Sequence, residues 1–301
     1  MNWLAATLIS YSLFAFTALI DRYILTKLST PPKVYAFYVA LLSTLVLAAA
    51  PFVAFFVPSL KLLFLCLATG MIFIFFLYWL YRAEMQFEVS RVVPAIGGLV
   101  PLFTFGLSRL FYPQQEEMSL SGMIAFLVLI IGSVIVSLNL KKRISIQSLK
   151  YSTIAAFLTS LVFILSKEIF SSLPFWTGMI WKSLGGIPAA LILLSFKDVR
   201  KAIFFNKNQF PKKKITALLA NQVLGGTATI IQNWAIALSP IIYLPFINAL
   251  AGFQYILLLV FSVLISFKLP GILKEELDRK TVFQKSIGIL LIIGGLFLLN
   301  V

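Results

Sequence analysis

Residues 215–267 carry no charged side chain, yet they begin with Asn221, Gln222, Gly225, Gly226, Thr229, Gln232 and Asn233. On a helix turning about 100° per residue, these positions fall within an arc of about 140°. Such a stripe of amides and hydroxyls around a glycine pair can do one of two things. It can line a polar cavity, where Asn221, Gln222 and Thr229 offer donors and acceptors to a solute and the glycines leave room for close approach. It can equally bond neighbouring helices as packing.

Lys182 is the second feature. It interrupts the otherwise uncharged run 174–196, eight residues after Pro174, which is about 12 Å along a helix. A cation at that depth attracts an anionic or carboxylate-bearing solute. The alternatives are an ion pair with Glu168, near the end of the preceding run, or an ammonium that snorkels to the surface. Asn248 and Gln254 stand on either side of Ala249 and Gly252, where a bent helix exposes carbonyls to a ligand. Pro94 and Pro101, seven residues apart, leave carbonyls without donors in the corresponding place, or simply kink their helix. Among the aromatics, Tyr11 and Tyr38 lie inside apolar runs and are candidates to stack on a ring or donate a hydrogen bond. Tyr78, Trp79 and Tyr81 lie near a run's end and read as an interfacial belt.

The missing residue types narrow the chemistry further. The chain has no histidine and one cysteine, Cys66. Histidine acid–base pairs, histidine or cysteine-cluster metal sites and an intrachain disulfide are therefore excluded, and Cys66 reads as a small apolar side chain. No catalytic residue, cofactor or metal is expected. There is no Gly-x-x-x-x-Gly-Lys-[Ser/Thr] loop for ATP. Asp21, Glu84, Glu88 and Glu168 all lie near the ends of runs. Without a carboxylate at mid-span, uniport or exchange is expected ahead of proton coupling.

These residues need elements to hold them. Of 301 residues, 60% are hydrophobic and 12% charged, with mean hydropathy +1.00. A soluble domain is typically about half apolar and a quarter charged. A span of the bilayer core takes roughly 20 apolar residues. Apolar runs occur at 3–20, 34–57, 62–81, 92–108, 118–140, 151–170 and 174–196, uncharged apart from Lys167 and Glu168 near the end of the sixth and Lys182 within the seventh. The run 215–267 is too long for one pass and breaks at Ser239-Pro240, because proline cannot continue the helical ladder. A last run covers 283–300. The reading is an all-α integral membrane protein of ten transmembrane helices with no soluble domain. The first run lacks a basic leader and a small-residue cleavage site, so it is expected to be retained.

The net charge of +15 comes from 25 Lys and Arg against 10 Asp and Glu. On the span map, 21 of the basic residues fall on the side of the first loop. The other four are Lys61, Arg109, Lys167 and Lys182. Short loops follow the positive-inside rule, so the first side is expected to be cytoplasmic and both termini outside, in a plasma membrane. This placement accounts for Lys212-Lys213-Lys214 without nucleic acid. The expected partners are a small-molecule substrate and the lipid bilayer, with the chain a monomer or homodimer.

Weak self-similarity recurs at five-span spacing. Pro94, Gly97-Gly98 and Pro101 in the fourth span answer Pro245, Ala249 and Gly252 in the ninth. Gly122 and Ile131-Gly132 in the fifth answer Gly288 and Ile293-Gly294-Gly295 in the tenth. Five is odd, so the halves 1–143 and 144–301 would form an inverted repeat. With these motifs the chain resembles the drug/metabolite transporter superfamily, in its ten-helix EamA-type branch, over essentially its whole length. That resemblance implies movement of amino acids, nucleobases, sugars, drugs or other metabolites through a central cavity by alternating access. Two departures stand out. The acidic turn the family often places after its fourth helix is present as Glu116-Glu117, but after the ninth it is diluted into Lys274-Glu275-Glu276. The family also commonly has cytoplasmic termini, the reverse of the charge count. A flippase for a lipid-linked substrate or a proton-coupled exporter are the alternatives on the same fold. An embedded enzyme lacks its usual residues, and a passive pore needs no inverted repeat.

Overall fold

The computed structural model describes residues 2–87, 89–114, 117–137, 146–205, 212–268 and 279–298. The linker charges at 141–143, 207 and 274–276, together with Glu88 and Glu116, lie outside them. The described residues are mostly helical, with no strand among them.

Local chemistry sets where each helix begins and stops. Asn2 caps α1 (Trp3–Arg22), its Oδ1 accepting from the Ala5 amide at 2.8 Å. A π-helical turn, Tyr23–Lys27, follows. Pro32 sits in the first turn of α2 (Pro32–Ser43), where its missing N–H costs nothing. That helix tightens into a 3-10 segment, Thr44–Phe52, which contains Pro51. Then come α3 (Leu60–Gln86), α4 (Val89–Phe111), α5 (Leu120–Ser137) and α6 (Ile146–Ser172). α4 runs through Pro94 and Pro101 without ending.

The run expected at 174–196 is two helices, α7 (Phe175–Leu184) and α8 (Gly186–Leu194), interrupted at Gly185. Pro188, three residues after the break, has no N–H to offer Leu184, so the ladder cannot pass straight through. A short α9 (Lys197–Arg200) and a π-helical turn, Lys201–Phe205, lie beyond. α10 (Lys212–Leu238) stops at Ser239-Pro240, as the sequence indicates. A 3-10 turn, Ile241–Tyr243, leads to α11 (Leu244–Ala249), α12 (Ala251–Lys268) and α13 (Arg279–Leu298). The bend expected around Ala249 and Gly252 is this α11–α12 junction at Leu250.

Among the described residues, six helical segments are long and apolar enough to cross a membrane: Trp3–Leu25, Pro32–Phe52, Leu60–Gln86, Ile146–Ser172, Phe175–Leu194 and Ile241–Leu258. Ala95–Phe111, Leu120–Val136 and Phe283–Leu298 are shorter apolar helices. α10 is long enough at 27 residues, but its polar stripe makes it less apolar than these.

Contacts between connections define the two ends of the bundle. At one end Lys33 pairs with Asp198 at 3.2 Å. At the other, Thr177 Oγ1 donates to the Ala54 carbonyl at 2.8 Å and Trp181 Nε1 to the Phe56 carbonyl at 2.9 Å. Between the ends lie two large apolar clusters. One, around Phe126, Phe246 and Ile236, is built mainly from α1, α5, α6, α10, α11 and α13. The other, around Tyr35, Ile74 and Leu193, joins α2, α3 and α8.

In lipid, association depends on close packing rather than on escape from water. Two seams show how close. A β-carbon on Gly70 of α3 would stand 1.8 Å from the Lys182 carbonyl oxygen, so only glycine lets α3 meet the α7–α8 break. A β-carbon on Gly132 would stand 3.0 Å from the Gly288 carbonyl oxygen, and one on Gly288 the same distance from that of Gly132. The α5–α13 crossing is thus held by a reciprocal glycine contact.

Candidate functional site

Lys182 lies in the last turn of α7, one turn before the break, and is 5% exposed. Its ammonium donates to Ser166 Oγ on α6 and to Asn233 Oδ1 on α10, each at 2.6 Å. The Phe170 ring centre is 5.9 Å away. Asn233 is fixed in turn, its Nδ2 donating to the Thr229 carbonyl at 2.7 Å. Both hydrogen-bond acceptors of the ammonium are neutral. The ion pair with Glu168 does not form: Glu168 is exposed and accepts from the Tyr112 phenol at 3.0 Å. Snorkelling does not occur either, since a snorkelled ammonium would be wet. Lys182 is a buried amine held by a hydroxyl and an amide at the meeting of three helices.

α10 carries the rest of the polar stripe. Asn221, 7% exposed, reaches Asp21 of α1 and Tyr35 of α2 through its Nδ2 at 2.7 Å each. The Tyr11 phenol, buried on α1, sits beside the Gln232 side chain. Thr229 turns its hydroxyl back to the Gly225 carbonyl at 2.7 Å, satisfying it within its own helix. Gly225 faces Thr17 of α1, and Gln222, half-buried, lies beside Gly226. The stripe therefore faces α1, α2 and α7. It joins Asn221, Tyr11 and Lys182 to one helix.

Asn248 and Gln254 belong to other contacts. Asn248 Nδ2 donates to Thr104 Oγ1 of α4 at 2.8 Å, and Gln254 Nε2 to the Phe14 carbonyl of α1 at 3.3 Å. These bonds tie the two arms of the bent α11–α12 segment to their neighbours, the packing role that amides take in lipid. Tyr38 is half-buried on α2, edge-on to Phe37. Tyr81 is not part of an interfacial belt: it is 4% exposed and stacks on Tyr35 at 4.4 Å. Tyr78 approaches Arg82, and the Arg82 guanidinium lies over Trp79 and Tyr151.

Ser166, Tyr35 and Asp21 have no signal in the sequence strong enough to mark them. A serine in an apolar helix is common, and Asp21 reads as an ordinary loop charge. Lys167 also has a different role from the expected loop charge. Its ammonium donates to the carbonyls of Ile236, Ala237 and Ser239 at 3.4, 3.1 and 2.7 Å, closing the carboxyl end of α10. Beside it, a cleft of about 460 Å³ opens between α3, α4 and α6, lined by Lys61, Leu65, Phe111, Tyr112, Leu165 and Glu168 among others.

No family model matches the chain, and no curated protein matches it. A solved structure described only as "Crystal structure of protein" matches with a TM-score of 0.69 at 14% identity, covering 99% of this chain and 98% of the other. The likeness is one of overall fold, from end to end of both molecules.

Proposed function

We propose that the protein is a secondary transporter that moves a small polar or amphipathic metabolite across the membrane by alternating access, and that Lys182 receives an anionic group of that solute. The observation that carries this reading is the ammonium itself. It is buried, its hydrogen-bond acceptors are neutral, and it stands at a broken helix. Burying an unpaired charge costs several kcal/mol. A serine and an asparagine offset part of that and leave a field that an anionic ligand completes. Broken helices beside a polar site are a recurring feature of transporters.

The packing supports a five-plus-five inverted repeat of ten spans. Let α1 exchange with α6, α2 with the α7–α8 pair, α3 with α10, α4 with α11–α12, and α5 with α13. The α1–α10 contact then maps onto α6–α3, and α4–α6 onto α12–α1. The α2–α8, α4–α11 and α5–α13 contacts each map onto themselves. This is the pattern a twofold axis in the membrane plane would produce. The family resemblance, to ten-helix drug/metabolite transporters, is in keeping with it.

The test begins with a thermal-shift screen of purified protein against metabolites, since a ligand of the folded state raises its melting temperature. Uptake of each hit into proteoliposomes is then compared with that of Lys182→Met. Anionic hits should lose at least about tenfold, the equivalent of ~1.4 kcal/mol. Equal transport of every hit by both proteins would remove Lys182 from the site.

One observation favours a second reading on the same fold, a flippase for a lipid-linked substrate. The cleft holding Lys61 and Glu168 is lined by Lys61, Leu65 and Phe111, whose neighbours in sequence, Leu60, Phe64 and Leu110, have exposed side chains. A polar head could enter there while its tail stays in lipid.

A further inference from the structure

At the end of α10 away from the Lys167 cap, Asp21, Tyr35 and Asn221 join α1, α2 and α10. The Tyr35 phenol donates to Asp21 Oδ1, and Asn221 Nδ2 donates to that same oxygen and to the Tyr35 phenol oxygen. The donors of this group are then spent: the phenol has one proton and the amide two, and each is used. An acceptor is left over. Asn221 Oδ1 is buried and has no hydrogen-bond partner, in a side chain that is 7% exposed. A buried acceptor without a partner calls for a ligand that supplies positive charge or a proton.

Around it, among the described residues, carboxyl groups and phenols outnumber the one cation, Arg22. Glu84 of α3 lies within charge-interaction range of Asp21 and of Arg22. Tyr81 of α3 is close to both carboxylates, and Tyr255 of α12 to Glu84. The titratable and charged groups facing the node are therefore Asp21, Glu84 and Arg22 with three phenols. The two carboxylates repel an anion. A divalent ion usually draws on more carboxylates than are gathered here, and no group of three or more candidate metal-binding residues occurs among the described residues.

We propose that the Asp21 carboxylate and the Asn221 amide oxygen bind a small monovalent cation, H⁺ or Na⁺. This site is distinct from Lys182: Asn221 and Asn233 are twelve residues apart, about 18 Å along α10. The node ties α1 and α2 to α10, so neutralising Asp21 changes the bonds that join these three helices. That consequence for transport rests on the transporter reading, whereas the site itself does not.

The test measures binding to the full-length protein purified in detergent, with no transported solute present. Radioactive ²²Na⁺ retention identifies sodium. A carboxylic C=O infrared band that titrates with pH identifies the proton. For sodium, the wild type should retain ²²Na⁺, acid should displace it, and both Asp21→Asn and Asn221→Ala should weaken retention at least tenfold. For the proton, ²²Na⁺ is not retained, and the titrating band of the wild type is missing from Asp21→Asn. Tyr35→Phe keeps the carboxylate and the amide oxygen and should preserve either signal. If Asp21→Asn does not fold, Asn221→Ala carries the sodium comparison, and for the proton it shifts the pH at which the band titrates. Wild type and variants that match in both sodium retention and infrared titration would overturn the proposal. Failure of the protein to move any solute would leave these readouts unaffected.

Discussion

An ammonium held by a serine and an asparagine keeps its place only while those two bonds survive. Hydrogen bonds to charged groups contribute about 1.5–3 kcal/mol each. Asn233→Ala removes one bond to Lys182 and one to the Thr229 carbonyl, and it leaves the charge less compensated. Its melting temperature should fall measurably, and that of the double variant Asn233→Ala/Lys182→Met should recover part of the loss, because the stranded charge is gone. A double variant no more stable than the single would show that the bond to Lys182 is not what matters. Lys167 acts differently. It satisfies three carbonyls where α10 ends. Lys167→Met should cost up to about 2 kcal/mol, the upper range for a cation at a helix carboxyl end. Hydrogen exchange at the last turn of α10 should speed up while the α5–α13 seam stays protected. Equal exchange at both places would place the effect elsewhere.

Among the helices, glycine decides how closely backbones approach. A β-carbon on Gly70 would overlap the Lys182 carbonyl, an encounter with backbone that no rotamer change relieves. Gly70→Ala should therefore separate α3 from the α7–α8 break and lower the yield of folded protein, with destabilisation at or above the 1–3 kcal/mol typical of overpacking. Gly294→Ala is the control, since a β-carbon there meets nothing within 4 Å. Thermal melts of the two variants should differ clearly, and similar curves would argue against the α3–α7 seam as described. The two broken segments also fall into place here. α7–α8 parts beside Lys182, and α11–α12 parts where Asn248 and Gln254 anchor its two arms. Both breaks lie in the second half of the chain, at Gly185 and Leu250, whereas α4 of the first half runs unbroken through its two prolines.

For the whole molecule, the charge distribution argues an orientation. The Lys33–Asp198 pair puts the first loop and the end of α8 on one face, together with Arg200 and Lys201. The pair itself is partly exposed and contributes little to stability. Its value is topological, because it shows which connections share a face. If the basic face is cytoplasmic, a fluorescent reporter that matures only in the cytoplasm should stay dark when fused after Val301. Bright fluorescence there would reverse the orientation and agree with the usual arrangement of the resembling family.

Much of the architecture is legible in the order of the residues alone. The stop at Ser239-Pro240 follows from proline's missing N–H, and the helix bounds follow the uncharged runs within a turn or two. The stripe on α10 is equally legible, because five polar residues and two glycines at helical spacing must share a face. Which role each member takes is not. In the same way, spacing does not reveal that Asn248 and Gln254 of the α11–α12 segment bond Thr104 and Phe14. Periodicity identifies a face but not the neighbour against it.

The sequence by itself determined that this is a helical, membrane-compatible chain without histidine chemistry, and that Lys182 is the cation inside an apolar run. These are properties of composition and local spacing, which need no partner. Only the tertiary structure decided that Lys182 meets Ser166 and Asn233 rather than Glu168, that Lys167 closes α10, and that Asp21 and Asn221, 200 positions apart, share a node. Those pairings depend on how the helices cross, and the crossings are set by glycine seams whose partners lie far away in the chain.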